Sequence, residues 1–189
     1  MINLFFRLFL TFNASSLIIV VYFVKSHKTI NCLNPFFANT PHFVSYLIYF
    51  LIPVLLTYLS LIISKYLSDD SIEIESTKGV KETAAIIEIE QANNAYLPSY
   101  LGYFFVALSV PYGDTLIFVF GILFLFTFLS QTLYFNPLFL IFGYHFYYLT
   151  TVNNVKIFII TKKELKGPHK LTFPSLKRIN NFTFIDKQK

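Results

Sequence analysis

Charged residues are scarce in this chain, at 13% of its 189 residues against about 25% in a typical soluble domain. Fifteen lysines and arginines and ten acidic residues are too few to cover a water-facing surface of this size. We therefore expect the chain not to be a soluble globular enzyme. Its single cysteine, Cys32, excludes a scaffold held by internal disulfides.

Residue patterns that carry catalysis or hold cofactors are also lacking. The four histidines have no metal-ligand spacing such as i, i+4, and one cysteine cannot build a cysteine-based zinc site. The six glycines are scattered and form no phosphate-binding loop. We therefore predict no catalytic residues, no metal site, no cofactor and no enzymatic activity.

Long apolar stretches are what the sequence has instead. Four of them contain no charge, at residues 8–24, 43–63, 96–110 and 115–135. The two 21-residue stretches would reach about 31 Å as helices, which matches a hydrocarbon core of about 30 Å. The first stretch needs an extension toward Asn3, and the third is short enough for a re-entrant or interfacial hairpin as the alternative. We predict a membrane all-α fold with four transmembrane helices.

The distribution of positive charge predicts the orientation. With four spans, thirteen of the fifteen basic residues lie on the side of the termini, and only Lys25 and Lys28 lie on the other side. The positive-inside rule then places both termini in the cytoplasm. The predicted parts are a first transmembrane hairpin (1–63) with an outer loop (25–42), a cytoplasmic loop with a strand (64–95), a second transmembrane hairpin (96–135) and a cytoplasmic β-hairpin with a basic tail (136–189).

The predicted cytoplasmic parts are typical of strands. Residues 144–152 and 155–161 are rich in aromatic and β-branched side chains, and Asn153-Asn154 between them suits a two-residue hairpin turn. Residues 84–91 alternate isoleucine with glutamate, as a half-buried strand does. Residues 181–185 are a candidate for a further strand. We expect a small cytoplasmic β layer, a hairpin plus one or two strands, with 68–76 as a solvated linker.

Polar and small residues inside the spans have two interpretations. They allow helices to approach and to form hydrogen bonds, either within one bundle or at a seam between copies, and the sequence does not choose between these. Pro53 lies at the middle of the second span, where the resulting kink serves the structure alone or acts as a gate. The residues are Asn13, Ala14, Ser15 and Ser16 in the first span, Ser45, Thr57 and Ser60 in the second, and Gly121, Thr127, Ser130 and Gln131 in the fourth.

The C-terminal tail is basic, with nine lysines and arginines against Glu164 and Asp186. Such a surface attracts anionic lipid, a protein partner or nucleic acid, and next to a membrane we favour lipid. No motif that reads DNA or RNA is present. We therefore expect no direct binding of nucleic acid.

Several segments of the second half resemble a known family. Residues 92–104 (ANNAYLPSYLGYF), 134–139 (YFNPLF), the pair Gly143-Tyr144 and residues 156–162 (KIFIITK) follow one another as in KwaA, the four-span membrane subunit of the Kiwa anti-phage defence system. The resemblance covers roughly residues 84–170. It implies a self-assembling sensor in the bacterial inner membrane that responds to phage infection. It also implies a cytosolic nucleic-acid-binding partner that suppresses phage DNA replication and expression, and no catalytic residues.

The resemblance leads to a specific expectation for function. We expect a sensor and scaffold subunit that lies in the lipid bilayer, forms a homo-oligomer and recruits the cytosolic effector. The docking surface is predicted on the basic tail, at Lys156, Lys162, Lys163, Lys166 and Lys170. The alternatives are an oligomeric channel or pore-forming effector built from the same spans, and a binding protein of the bacteriocin-immunity type that works without a cytosolic partner.

Overall fold

The structure is a computed structural model that describes residues 2–30, 41–70, 86–95, 97–130, 136–152, 154–167, 173 and 176–187. The chain divides into two compact units. The helix unit comprises residues 7–60 and 96–138, and the sheet unit comprises residues 1–6, 61–95 and 139–189.

The four charge-poor stretches all form helices. Their bounds are Ile2–Lys25 for α1, His42–Ile63 for α2, Leu97–Ser109 for α3 and Gly113–Ser130 for α4. The helix α1 includes the predicted extension to Asn3, whereas the predicted end of the fourth stretch, 131–135, lies outside the described residues. By length and composition α1, α2 and α4 are candidate membrane spans. The helix α3, with 13 residues, measures only about 20 Å.

The core of the helix unit forms where α1 meets α3 and α4. Ile18 and Tyr22 of α1 pack with Ala107, Val110 and Leu116. The ammonium of Lys25, at the end of α1, donates a hydrogen bond to the carbonyl of Val110 at 2.9 Å. Half of the most apolar stretch of α1 is buried, whereas only 6% of the corresponding stretch of α4 is buried. Most of α4 is therefore exposed on the surface of the chain.

The sheet unit contains six strands within the described residues, and it is larger than the predicted hairpin plus one or two strands. The strands are β1 (Asp69–Asp70), β2 (Ile86–Gln91), β3 (His145–Thr151), β4 (Lys156–Thr161), β5 (Leu176–Arg178) and β6 (Thr183–Asp186). Their order is β1-β5-β6-β4-β3-β2. Neighbours are antiparallel except β4 and β6, which run parallel.

The predicted hairpin is β3–β4, but its turn differs from the prediction. The Thr151 amide donates to the carbonyl of Val155 at 3.0 Å, and the Asn154 amide donates to the carbonyl of Thr151 at 2.8 Å. Three residues, 152–154, therefore separate the closing pair, instead of two. Asn154 has φ +57°, the left-handed conformation that asparagine tolerates, whereas Asn153 lies outside the described residues.

The short strands β1 and β5 were not predicted from the sequence. Asp69 pairs with Lys177, and Asp70 with Leu176, so the prediction of a solvated linker at 68–76 is wrong for its residues 69 and 70. The side chains of Lys177 and Asp69 also form an ion pair at 2.6 Å. Residues 71–76 of the predicted linker lie outside the described residues.

Both faces of the central strands are buried. Phe146 on β3 stacks with Phe158 on β4 at 5.8 Å between ring centroids, and Phe139 of the short helix α5 (Leu138–Ile141) contacts Phe146 at 6.2 Å. The opposite face forms the main apolar cluster of the sheet unit. Its buried members are Ile86, Tyr147, Leu149, Ile157, Ile159, Phe173, Leu176 and Phe184.

Candidate functional site

Of the five lysines predicted to bind a partner, the four that the structure describes do not form one patch. Lys156 begins β4, and Lys162 and Lys163 follow its end, which separates the two groups by about 20 Å along the strand. Lys166 lies in the segment after β4, on the wall of a groove. Lys170 is outside the described residues.

Three of these lysines already have partners within the sheet unit. Lys156 forms an exposed ion pair with Glu90 at 2.6 Å, and this hydrogen bond raises the pKa of Lys156. The ammonium of Lys162 lies 5.0 Å from the ring centroid of Tyr144. Lys163 lies 3.7 Å from the buried carboxylate of Asp186. Carboxylates therefore partly compensate the charges of Lys156 and Lys163, whereas Lys162 contacts an aromatic ring. Lys166 is an exposed cation beside the groove.

The groove beside Lys166 has a volume of about 540 Å³. One wall is β2, with Ile87, Glu88, Ile89 and Gln91, and the floor includes His145 and Tyr147 of β3. The other wall is the segment 164–167, where the Leu165 amide donates to the Tyr147 hydroxyl at 3.3 Å. The groove therefore runs along a strand, and its lining carries both carboxylate and ammonium groups.

The strand beside this groove is an edge strand. The Ala92 amide donates to the Phe146 carbonyl at 2.8 Å. In an antiparallel ladder every second residue bonds to the neighbouring strand. The backbone groups of Glu90 therefore point toward β3, as those of Ala92 do, whereas the N–H and C=O groups of Ile89 and Gln91 point outward. Within the described residues no strand pairs with this side of β2. Such an edge accepts an additional strand from another chain.

A second polar cluster is buried in the helix unit, around Pro53. Asn13 of α1, Thr57 of α2 and Asn136 are each at most 1% exposed. One orientation of the Asn13 amide gives both its oxygen and its nitrogen a hydrogen-bond partner. In that orientation Oδ1 accepts from the Thr57 hydroxyl at 2.9 Å and from the Asn136 amide at 3.0 Å. Its Nδ2 then donates to the Pro53 carbonyl at 3.2 Å.

This cluster bears on the two interpretations of polar residues in the spans. Asn13, Thr57 and Ser60 are fully buried within one chain, so they pack inside the bundle. Gly121 and Ser130 of α4 are exposed, and Gln131 lies outside the described residues. Asn136 belongs to a segment that carries the family resemblance, but only the folded chain brings it to Asn13.

Metal-binding groups are not found in the described parts of the chain, where no three His, Cys, Asp or Glu side chains lie close enough to hold an ion. What the structure does contain is three apolar helices of membrane-spanning length and a separately packed sheet with an open edge. By their length and composition these helices could cross a membrane, and the sheet forms a compact unit of its own.

The chain belongs to the KwaA family of anti-phage proteins, whose family model matches residues 6–185. The match confirms the resemblance seen at residues 84–170 and extends it over nearly the whole chain. It also assigns the protein to anti-phage defence. No curated protein and no solved structure matches the chain detectably.

Proposed function

We propose that this protein is a multi-pass inner-membrane sensor and scaffold of its defence system. It oligomerises in the bilayer and recruits a cytosolic effector that binds nucleic acid. The single observation that carries recruitment is the open edge of β2 beside the groove. Membership of an anti-phage family and three candidate spans support the membrane part.

In this proposal α3 is a fourth, short span, and both termini lie in the cytoplasm. The concentration of basic residues in 136–189 supports that orientation. The sheet unit would then face the cytosol, where an effector can reach it. A reporter fused after Lys189 should be active only if it is of a cytoplasmic type, and periplasmic activity would overturn this orientation.

Self-association is supported by the exposed surface of α4. Ile117, Phe118 and Phe126 are each more than 60% exposed, and a Cβ added at Gly121 meets no described atom within 4 Å. Small residues allow membrane helices to pack closely against one another. A second copy that packs against α4 would use this open site.

Recruitment is tested by placing charge in the groove. Ile87 is 51% exposed and lines the groove, so Ile87→Glu should leave the fold intact and abolish co-purification of the effector of the same system. Phe182→Glu is the matched control, because Phe182 is also an exposed apolar residue of the sheet unit, at 57%. Equal co-purification of both variants and the parent chain would refute docking at this groove.

Two further measurements separate this proposal from other functions. Reconstituted protein should leave liposomes tight to ions, since residues 43–63 and 115–135 contain no ionisable side chain other than tyrosine and ion paths usually require them. Leakage would favour the channel or pore. Purified chain without effector should not retard DNA or RNA, because the effector is proposed to supply that binding.

A further inference from the structure

The ammonium of Lys187 is held against the last turn of α2. Its Nζ donates a hydrogen bond to the carbonyl of Leu61 at 2.7 Å, and the Ser64 hydroxyl donates to the same carbonyl at 2.8 Å. The final carbonyls of a helix have no partner within the helix and attract cations. Lys187, which follows β6, is thereby attached to the end of α2.

Other lysines lie close enough to repel the ammonium of Lys187. The strands β4 and β6 are paired in parallel with Ile160 opposite Ile185, so Lys162 and Lys187, each two residues further on, leave the sheet side by side. Burial, and after it the repulsion from Lys65, Lys162 and Lys177, lowers the pKa of Lys187 to about 8. Lys177 is neutralised by Asp69. For Lys65, Lys162 and Lys187, no carboxylate of the described residues lies within ion-pair distance. The sheet unit therefore holds uncompensated positive charge at the end of α2.

The end of α2 also fixes where this charge lies in a bilayer. The candidate span extends over His42–Tyr66, so Lys65 is next to its final residue. Tyr66 is 73% exposed, and tyrosines at span ends prefer the headgroup layer. Because Lys187 touches the carbonyl of Leu61, its ammonium lies within about one helical turn of Lys65. The phosphates of lipid headgroups occupy the same layer.

We propose that Lys65, Lys162 and Lys187 form a binding site for the phosphate of an anionic lipid headgroup. Each ammonium has hydrogen-bond donors for the phosphate oxygens, and the bound lipid removes the repulsion among the three lysines. The site anchors the C-terminal end of the sheet to the membrane. It rests on the proposed insertion of α2 into the bilayer, and it does not require an effector.

The test uses the full-length chain in detergent micelles, titrated with fluorescent phosphatidylglycerol and, separately, with fluorescent phosphatidylcholine. The parent chain should prefer phosphatidylglycerol. Lys187→Gln and Lys65→Gln should each reduce that preference about fivefold, since a lysine near an anionic surface contributes about that factor. Lys166→Gln removes one positive charge from the groove of the sheet unit and should leave the preference for phosphatidylglycerol unchanged.

Three outcomes would overturn the inference. The first is an equal loss of preference in Lys166→Gln and Lys187→Gln, which would indicate nonspecific charge attraction. The second is displacement of the lipid by equimolar inorganic phosphate, which would indicate a site for a soluble anion. The third is a parent chain without preference for phosphatidylglycerol. If that chain still floats with phosphatidylglycerol–phosphatidylcholine vesicles, the proposed membrane function stands, and if it does not float, both proposals fail.

Discussion

The buried amide of Asn13 allows the most direct test of how the helix unit is held together. It makes four contacts, to the Pro53 carbonyl, to the hydroxyl and amide of Thr57, and to the amide of Asn136. Hydrogen bonds between membrane helices contribute about 0.6 kcal/mol each on average and about 1.7 at most. We expect Asn13→Ala to reduce the free energy of unfolding by about 2.4 kcal/mol, which is four times the average.

Ser15 provides a control in the same helix. It is fully buried, but its hydroxyl has no hydrogen-bond partner among the described residues. Ser15→Ala removes a polar atom whose burial is uncompensated, so we expect it to be neutral or slightly stabilising. Both variants remove a buried polar group from α1 and differ in whether that group was bonded.

The assay is reversible unfolding of the detergent-solubilised protein in a titration with a denaturing detergent, followed by circular dichroism. A double-mutant cycle of Asn13→Ala with Thr57→Val should give a coupling energy of about 1 kcal/mol, because the two side chains bond directly. Equal destabilisation by Asn13→Ala and Ser15→Ala, together with a coupling energy near zero, would refute the assigned network.

Three further predictions concern α4, the C-terminus and the hairpin. Gly121→Leu should weaken self-association about tenfold, or about 1.4 kcal/mol, as measured by a cross-linking titration. Leu129→Phe, a change at another exposed position of α4, should not weaken it. Equal effects of the two variants would refute a seam at Gly121. Because the pKa of Lys187 falls from 10.5 to about 8, the unfolded chain binds one proton more between these values, so stability should rise with pH across that window. Thermal unfolding from pH 7 to 10.5 tests this, and an unchanged slope in Lys187→Met would contradict it. Asn154→Ala should destabilise the hairpin by about 1 kcal/mol because of its positive φ, Asn154→Gly should not, and similar melting temperatures of the two variants would count against the left-handed turn.

The sequence by itself determined the elements whose signal is local. Charge-free apolar runs predicted the four helices, because a backbone in an apolar environment must satisfy its own hydrogen bonds and does so within one segment. Alternating or β-branched stretches predicted β2, β3, β4 and β6. The burial of one or both faces of a strand leaves a pattern of apolar residues within the strand itself. The turn between β3 and β4 was placed correctly by its asparagines but was one residue short.

Only the tertiary structure decided which distant groups meet. The strands β1 and β5 have two and three residues, too few to show a period, and exist because they pair with each other across more than 100 positions. Lys156 meets Glu90, and Lys187 meets the end of α2, so the sequence could count the lysines of the tail without showing which of them are compensated. Asn13, Thr57 and Asn136 likewise come from three separate segments. The type and spacing of residues are local properties of the sequence. The burial of a side chain and the partner of its charge depend on chain segments that only folding brings together.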